Sequence, residues 1–332
     1  MEKRRCGKSE IELSVLGLGC MSFGGGSYWG SQNQEDVNEV VQAALDYGIN
    51  YFDTAEMYND GRSEESLGQA LQGFREKAVI GTKVNLENTP PEVLRAHCEM
   101  SLRRLRTDWI DLYMIHWPIP IQLVEGAFNT LEALIKEGKI RAIGVSNFGF
   151  HQLKEAQLTG VDVVSDQLCY SLLARAIESE ILPYCLQEEV GVIGYMPLMQ
   201  GLLTGRYRCP EEMRPSLTRT RHFSSSRAGT RHGEAGAEQE TFATIEAIKE
   251  FATSEGIPME SLALAWVIAR PGITCALVGS RNLRQLLVNI QGASLSLSPD
   301  VLNRLDELTD GLFKKLGTNL DYWNSNENSR IR

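Results

Sequence analysis

One alternation, repeated eight times, constrains this chain more than any other feature. Short apolar runs rich in β-branched residues occur at 15–20 (VLGLGC), 50–54, 78–84, 109–115, 140–145 (IRAIGV), 163–167, 191–195 (GVIGY) and 275–279 (CALVG), with amphipathic stretches between them. A run that is apolar on both faces suits a strand of a parallel sheet covered on both sides. Eight strand-then-helix units close a barrel more naturally than they extend an open sheet. The expected fold is therefore α/β, a single (β/α)8 TIM barrel in one domain over 1–332.

The helices carry their own punctuation. In 35–48 (EDVNEVVQAALDYG), Val37, Val40, Val41, Ala44 and Leu45 recur at helical spacing before a closing Gly48. Ser63 before Glu64 and Glu65 reads as an N-cap followed by acids that suit the positive end of the helix dipole. Pro90 and Pro91 open the next helix, and Lys136 with Gly138 closes the fourth. Two stretches break the rhythm. Residues 206–238 lack apolar periodicity, are rich in Arg, Ser and Gly, and read as a lid loop after the seventh strand. From Phe313 to 332 the chain is polar and is expected to be irregular.

Composition removes several function classes. A formal charge of −10 argues against a nucleic-acid surface, which needs a concentrated excess of Lys and Arg. Seven scattered cysteines with no C-x-x-C pair favour neither a disulfide framework nor a zinc site, so no metal is expected. No apolar stretch approaches the roughly twenty residues of a spanning helix, and no signal-like segment follows the first residues. The expected setting is cytoplasmic, with no membrane partner.

Within this frame the polar residues at strand ends stand out. Asp53, Lys83 and His116 each stand where an apolar run ends, about thirty residues apart, and Tyr58 follows the first of them. The open end of an α/β barrel is where strand-end residues meet. An acid and a lysine placed there form a candidate site.

Six segments in this order, FDTAEMYNDGRSEESLG, VIGTKV, RTDWIDLYMIHWP, GKIRAIGVSNF, YMPLMQGLLTG and VGSRNLRQLLVN, resemble the aldo-keto reductase superfamily from about Gly17 to Asn289. The resemblance implies that Tyr58 is the proton donor, that Lys83 and Asp53 support it, and that His116 orients the substrate. The chemistry agrees. Reduction of a carbonyl leaves negative charge on oxygen, so a proton donor and polarising groups are needed. A phenol is a weak acid unless a cation such as Lys83 lowers its pKa, and a lysine in a barrel mouth needs an anion such as Asp53.

The first strand is followed by GLGCMSFGGG, whose glycines lack the spacing of a dinucleotide fingerprint. The resemblance instead implies a nicotinamide cofactor lying across the barrel mouth, without metal or flavin. Ser146, Asn147 and Gln167 resemble its carboxamide clamp, and Tyr195 the aromatic that stacks on the ring. Pro197, Leu198 and the loop through Gly201, Leu202, Thr204, Gly205 and Arg206 resemble the pyrophosphate segment, although Met196 and Met199 replace a serine and a small residue of the common pattern. Gly279 and Arg281 resemble the adenosine 2′-phosphate site, with Gln285 and Asn289 one helical turn apart toward adenine. A guanidinium at Arg281 favours NADPH over NADH.

The expected partner is a small-molecule carbonyl substrate, an aldehyde or ketone. Trp29 and Trp117 are placed to line its aromatic entrance, and Arg219, Arg221 and Arg227 of the lid are candidates to meet cofactor phosphates or an anionic substrate. Oligomeric state is not readable. A different class is also open, since some members of this superfamily resemble auxiliary subunits of membrane channels that bind nucleotide as redox sensors with little turnover.

Overall fold

A computed structural model describes residues 1–332. Two short strands, β1 (Lys3–Arg5) and β2 (Glu12–Ser14), pair as an antiparallel hairpin. The barrel strands follow: β3 (Leu16–Gly19), β4 (Tyr51–Asp53), β5 (Val79–Val84), β6 (Ile110–Ile115), β7 (Ile140–Ser146), β8 (Val163–Cys169), β9 (Gly191–Tyr195) and β10 (Ile273–Gly279). All eight are parallel in sequential order, and β10 returns to β3 to close the barrel. Each of the eight runs expected as a strand is one.

Closure leaves two apolar compartments. The larger lies between the sheet and its helices, where Val37, Val40 and Ala44 of α1 (Gln34–Asp46) join Phe52, Ile80 and Tyr113. The smaller fills the barrel's lower interior with Tyr51, Leu112, Met114, Ile193 and Leu277. Cys6 and Leu13 of the hairpin belong to this second cluster, so the hairpin plugs the bottom. At its turn Gly7 has φ +55°, and a Cβ there would stand 2.2 Å from the Val164 carbonyl oxygen. Polar side chains are thereby left to the other end.

Helix α1 is capped by Asn33, whose side chain accepts from the Asp36 amide, and Gly48 supplies the positive φ beyond its end. Helices α3 (Pro91–Leu105) and α4 (Ile121–Lys136) begin and end at the proline and lysine–glycine signals. The Ser63 expectation needs correction. Helix α2 (Arg62–Ala70) is entered through Gly61 at φ 84°, and Ser63 lies inside its first turn. Its hydroxyl donates 2.7 Å to the Cys20 carbonyl and meets the Thr54 hydroxyl at 2.7 Å. A tertiary bond to the barrel takes the side chain that a cap would use.

The remaining helices are α5 (Phe150–Gln157), α6 (Ile181–Gln187), α7 (Glu238–Ser254), α8 (Met259–Ala269), α9 (Leu283–Ala293) and α10 (Pro299–Leu316). Residues 206–237 contain only two 3-10 turns, yet Leu217, Thr220, His222 and Phe223 are buried. Arg221 donates to Glu234 and to the Leu316 carbonyl, and Arg227 pairs with Glu211 and Glu238. Those two arginines are spent on holding the segment together. Arg219 lies over the Tyr28 ring, 5.6 Å from its centroid.

The tail also departs from expectation, because α10 carries Phe313 and ends only at Leu316. Beyond it the chain is irregular but firmly packed. Asp321 is wholly buried and accepts both arms of the Arg330 guanidinium at 2.8 Å, with further bonds from Asn324 and two backbone amides. Burial opposes this carboxylate, but those donors hold its pKa below the usual range. Removing the anion would leave Arg330 and the amides unpaired. Asp321→Ala is expected to lower stability by about 3 kcal/mol in urea titrations; a loss within about 0.5 kcal/mol, the ordinary surface range, would show that the network does not anchor the tail.

Candidate active site

Parallel pairing brings the strand ends to one rim, and there the four predicted polar residues meet. Asp53 ends β4, Lys83 lies one residue from the end of β5, and His116 follows β6 directly. Lys83 is fully buried and donates 2.6 Å to Asp53 Oδ1 and 2.7 Å to the Thr54 carbonyl. Asp53 Oδ2 accepts from the Tyr51 hydroxyl at 3.1 Å and from Gln167 Nε2 at 2.7 Å. The carboxylate therefore has partners on both oxygens.

These contacts determine the charges. Burial alone would strip the Lys83 proton, but Asp53 and Tyr58 more than offset it and hold the ammonium above its ordinary pKa. Lys83 Nζ lies 5.1 Å from the Tyr58 ring centroid. Burial raises the Tyr58 phenol, Lys83 pulls it down, and Asp53 adds to the rise. The expectation of an acidified phenol is thus corrected: the cation offsets part of a larger burial cost, and Tyr58 keeps its proton at neutral pH.

His116 packs edge-on against Tyr58, with centroids 5.7 Å apart. Burial first, and then Lys83, pushes its pKa well below the ordinary value, so the ring is neutral. Its Nδ1 has no partner in the protein. A neutral imidazole offers one donor and one acceptor, and this one is held beside the phenol.

The neighbouring rim is one connected polar network. Asn147, at φ 63°, donates to the Ser146 hydroxyl at 3.0 Å and to the His116 carbonyl at 3.2 Å, while Tyr195 donates to its Oδ1 at 2.7 Å. Ser146 donates to the Gln167 carbonyl at 3.1 Å. Gln167 is turned toward Asp53, so it joins the two groups. After Tyr195, four consecutive-to-near residues adopt positive φ: Met196 at 58°, Met199 at 41°, Gln200 at 54° and Gly201 at 91°. Leu202 is buried beneath this turn, Thr204 donates to the Gly201 carbonyl, and Gly205 ends it at φ 70°. A Cβ on Gly201 would stand 2.7 Å from Arg206 Nη2, so the missing side chain lets that guanidinium fold over the turn.

The far side of the rim holds Gly279, at the end of β10, and Arg281. Arg281 donates 3.0 Å to Gln32 Oε1 and 2.5 Å to the Ser31 carbonyl, while Gln32 returns a bond to the Arg281 carbonyl. Beside it opens a polar cleft of about 500 Å³ that Asp36 and Gln285 also line. Gln285 caps the Arg281 amide, and Asn289 donates to the Ser280 hydroxyl. Trp29 packs against Tyr28 and leaves its buried indole N–H without a partner. Trp117 is sandwiched by tail residues, edge-on to Trp323 at 6.2 Å and under the Arg330 guanidinium at 3.7 Å.

Three contributors escaped the sequence reading. Tyr51 shares a strand face with Asp53, a two-residue signal that was available. Trp323 and Arg330 carried no such signal, since an irregular polar tail does not disclose where it packs.

Replacing Asp53 with asparagine tests the pair. Lys83 would be left buried without its anion, and Asp53→Asn is expected to cost on the order of 3 kcal/mol at neutral pH. The sign of its pH dependence should also invert. In the wild type the raised Lys83 pKa gives stability that is present below the unfolded lysine value and lost as pH rises through the folded one. In the variant burial depresses the folded pKa, so stability should climb as pH rises toward the unfolded value. Urea midpoints at pH 7 and 9 check this; parallel curves for the two proteins would contradict it.

Comparison with known proteins agrees with the geometry. The profile of the Aldo/keto reductase family matches residues 15–310. The chain is 32% identical to Aldo-keto reductase YhdN of Bacillus subtilis over 89% of this chain and 90% of that protein. It is 31% identical to the NADH-specific methylglyoxal reductase of Escherichia coli over 94% and 99%. Among solved structures, a glycerol dehydrogenase from Gluconobacter oxydans superposes with a TM-score of 0.78 at 28% identity, covering 96% of each chain. An aldo-keto reductase from Klebsiella pneumoniae in complex with NADPH superposes at 0.71 with 29% identity, covering 93% of this chain and 96% of that one. No helix is long and apolar enough to cross a membrane. With a family match over most of its length and a closed eight-stranded barrel, this chain belongs to the aldo/keto reductase family.

Proposed function

We propose that this protein reduces an aldehyde or ketone to the alcohol with a nicotinamide cofactor, Tyr58 donating the proton. The observation that carries the reading is the buried Lys83–Asp53 pair beside the Tyr58 ring, with a neutral His116 packed edge-on against that ring. When bound, the cofactor supplies the hydride. The chain's own residues supply everything else.

The residues present fit such a cofactor. Tyr195, Asn147, Ser146 and Gln167 give an aromatic face beside amide and hydroxyl groups that suit a carboxamide. The turn from Met196 to Gly205 presents backbone in the conformation whose amides gather anions, with Arg206 folded over it. Arg281 beside its cleft suits a phosphate, which favours NADPH. Asp36 lines the same cleft and one relative is NADH-specific, so the preference is expected to rest on the Arg281 guanidinium.

For proton transfer the phenol must be protonated at rest, and its raised pKa ensures that. Once the carbonyl carbon takes up hydride, the C=O π electrons would pass to its oxygen, and that alkoxide is a far stronger base than a phenolate, so the Tyr58 proton moves to it downhill. Lys83 then stabilises the phenolate left behind, and Asp53 keeps Lys83 charged. His116 hydrogen-bonds the carbonyl oxygen, sets its distance from Tyr58, and spreads the developing charge. The indole N–H of Trp29 offers a further donor at the rim.

Three measurements test this. With NADPH and a panel of reactive aldehydes, Tyr58→Phe should reduce turnover by at least about 100-fold, the scale of general acid catalysis, while cofactor binding by fluorescence survives. Tight nucleotide binding with negligible turnover of every carbonyl would instead support a sensor. Because His116 is neutral, kcat/KM should show no ionisation near the ordinary histidine value of about 6.5, whereas a step there that His116→Gln removes would contradict its assigned state. Arg281→Ala should raise the Kd for NADPH at least about tenfold more than for NADH, and equal weakening would overturn the coenzyme assignment.

A further inference from the structure

On the outer side of the barrel, between the N-terminus of α2 and the C-terminus of α3, lies a second polar cleft of about 510 Å³. Four arginines line it: Arg62, Arg103, Arg104 and Arg106. It shares no lining residue with the Arg281 cleft. Only Arg104 has a carboxylate partner, the buried Glu64 at 3.1 Å. Arg62 donates to the Asn59 carbonyl, and neither Arg62, Arg103 nor Arg106 forms an ion pair. The wall also carries Glu65, so cations exceed acids in a chain whose net charge is −10.

Two of these placements run against local preference. Arg62 is the first residue of α2, where the helix dipole disfavours a cation. Arg106 adopts φ 54°, a left-handed conformation that suits glycine, to close α3. The negative end of the α3 dipole accounts for Arg103, but it does not account for Arg62. Both unfavourable placements direct a guanidinium to one concavity of ligand size.

We propose that this cleft is a binding site for a small phosphate-bearing anion, separate from the site at the barrel mouth. Guanidinium forks match phosphate oxygens with paired hydrogen bonds, and three that lack a carboxylate partner suit a diphosphate or a phosphoester better than a singly charged ion. The cleft is also connected to the mouth. Arg62 follows the left-handed turn Asn59–Gly61, which begins directly after Tyr58, so an anion held at Arg62 stiffens the segment that carries the phenol.

Isothermal titration of the full chain with pyrophosphate and with glycerol 3-phosphate tests the proposal. Arg103→Ala/Arg106→Gly and, separately, Arg62→Ala should each raise the Kd at least tenfold, while Arg281→Ala changes it less than twofold. Tighter binding of pyrophosphate would identify an inorganic ligand, and tighter binding of glycerol 3-phosphate an organic phosphoester. Arg62 and Arg106 are exposed and sit in locally unfavourable positions, so the variants should not fall below the wild-type thermal midpoint. Binding lost in Arg281→Ala but kept in the cleft variants, or absent from the wild type at millimolar ligand, would overturn it.

Discussion

The site depends on one buried ion pair. A lysine with no solvent exposure is unfavourable in a barrel interior, and Lys83 is held there charged because Asp53 stands 2.6 Å away with its other oxygen occupied by Tyr51 and Gln167. Three strands must be in register to build this. Asp53 pairs with Gly81 across β4 and β5, which sets Lys83 two residues further along, and Gln167 reaches across the interior from β8. The absence of a side chain at Gly81 is part of the arrangement, since a Cβ there would stand 2.4 Å from the Tyr51 hydroxyl that donates to Asp53. The charge that tunes the phenol is thus a property of the closed sheet.

The barrel and the meeting of these polar residues at its rim were readable in the sequence because each strand is an apolar run and each of Asp53, Lys83 and His116 stands within one residue of the end of one. Parallel pairing in sequential order then brings those ends together. What escaped has equally local causes. Ser63 looks like a cap, but Gly61 already supplies the entry conformation and the Ser63 hydroxyl finds the Cys20 carbonyl inside. Residues 206–237 and 317–332 have no periodicity because they pack irregularly, Arg221 reaching the Leu316 carbonyl and Asp321 gathering Arg330. Pattern reading finds repeated faces and misses single long-range bonds.

The pKa directions divide the labour among the four residues. Burial pushes Tyr58 up and His116 down, so both are neutral at pH 7, while Lys83 and Asp53 form a charged pair beneath them. In the proposed reaction such a neutral phenol and neutral ring would meet a neutral carbonyl without repulsion or extra desolvation. In the proposed reduction the fixed positive charge would act only when negative charge develops, which is the condition for stabilising a transition state more than a ground state.

The aromatic rim adds a constraint of its own. Trp117 follows His116 directly, and its ring is held by Trp323 and by Arg330, which is fixed in turn by the buried Asp321. Because adjacent residues share a backbone, fixing the Trp117 ring helps hold the main chain from which the His116 imidazole projects. In the proposed reaction the tail would both wall the substrate entrance and steady the backbone of the residue that aligns the carbonyl. That coupling runs from a carboxylate in an irregular segment, through one stacked guanidinium, to the end of a barrel strand.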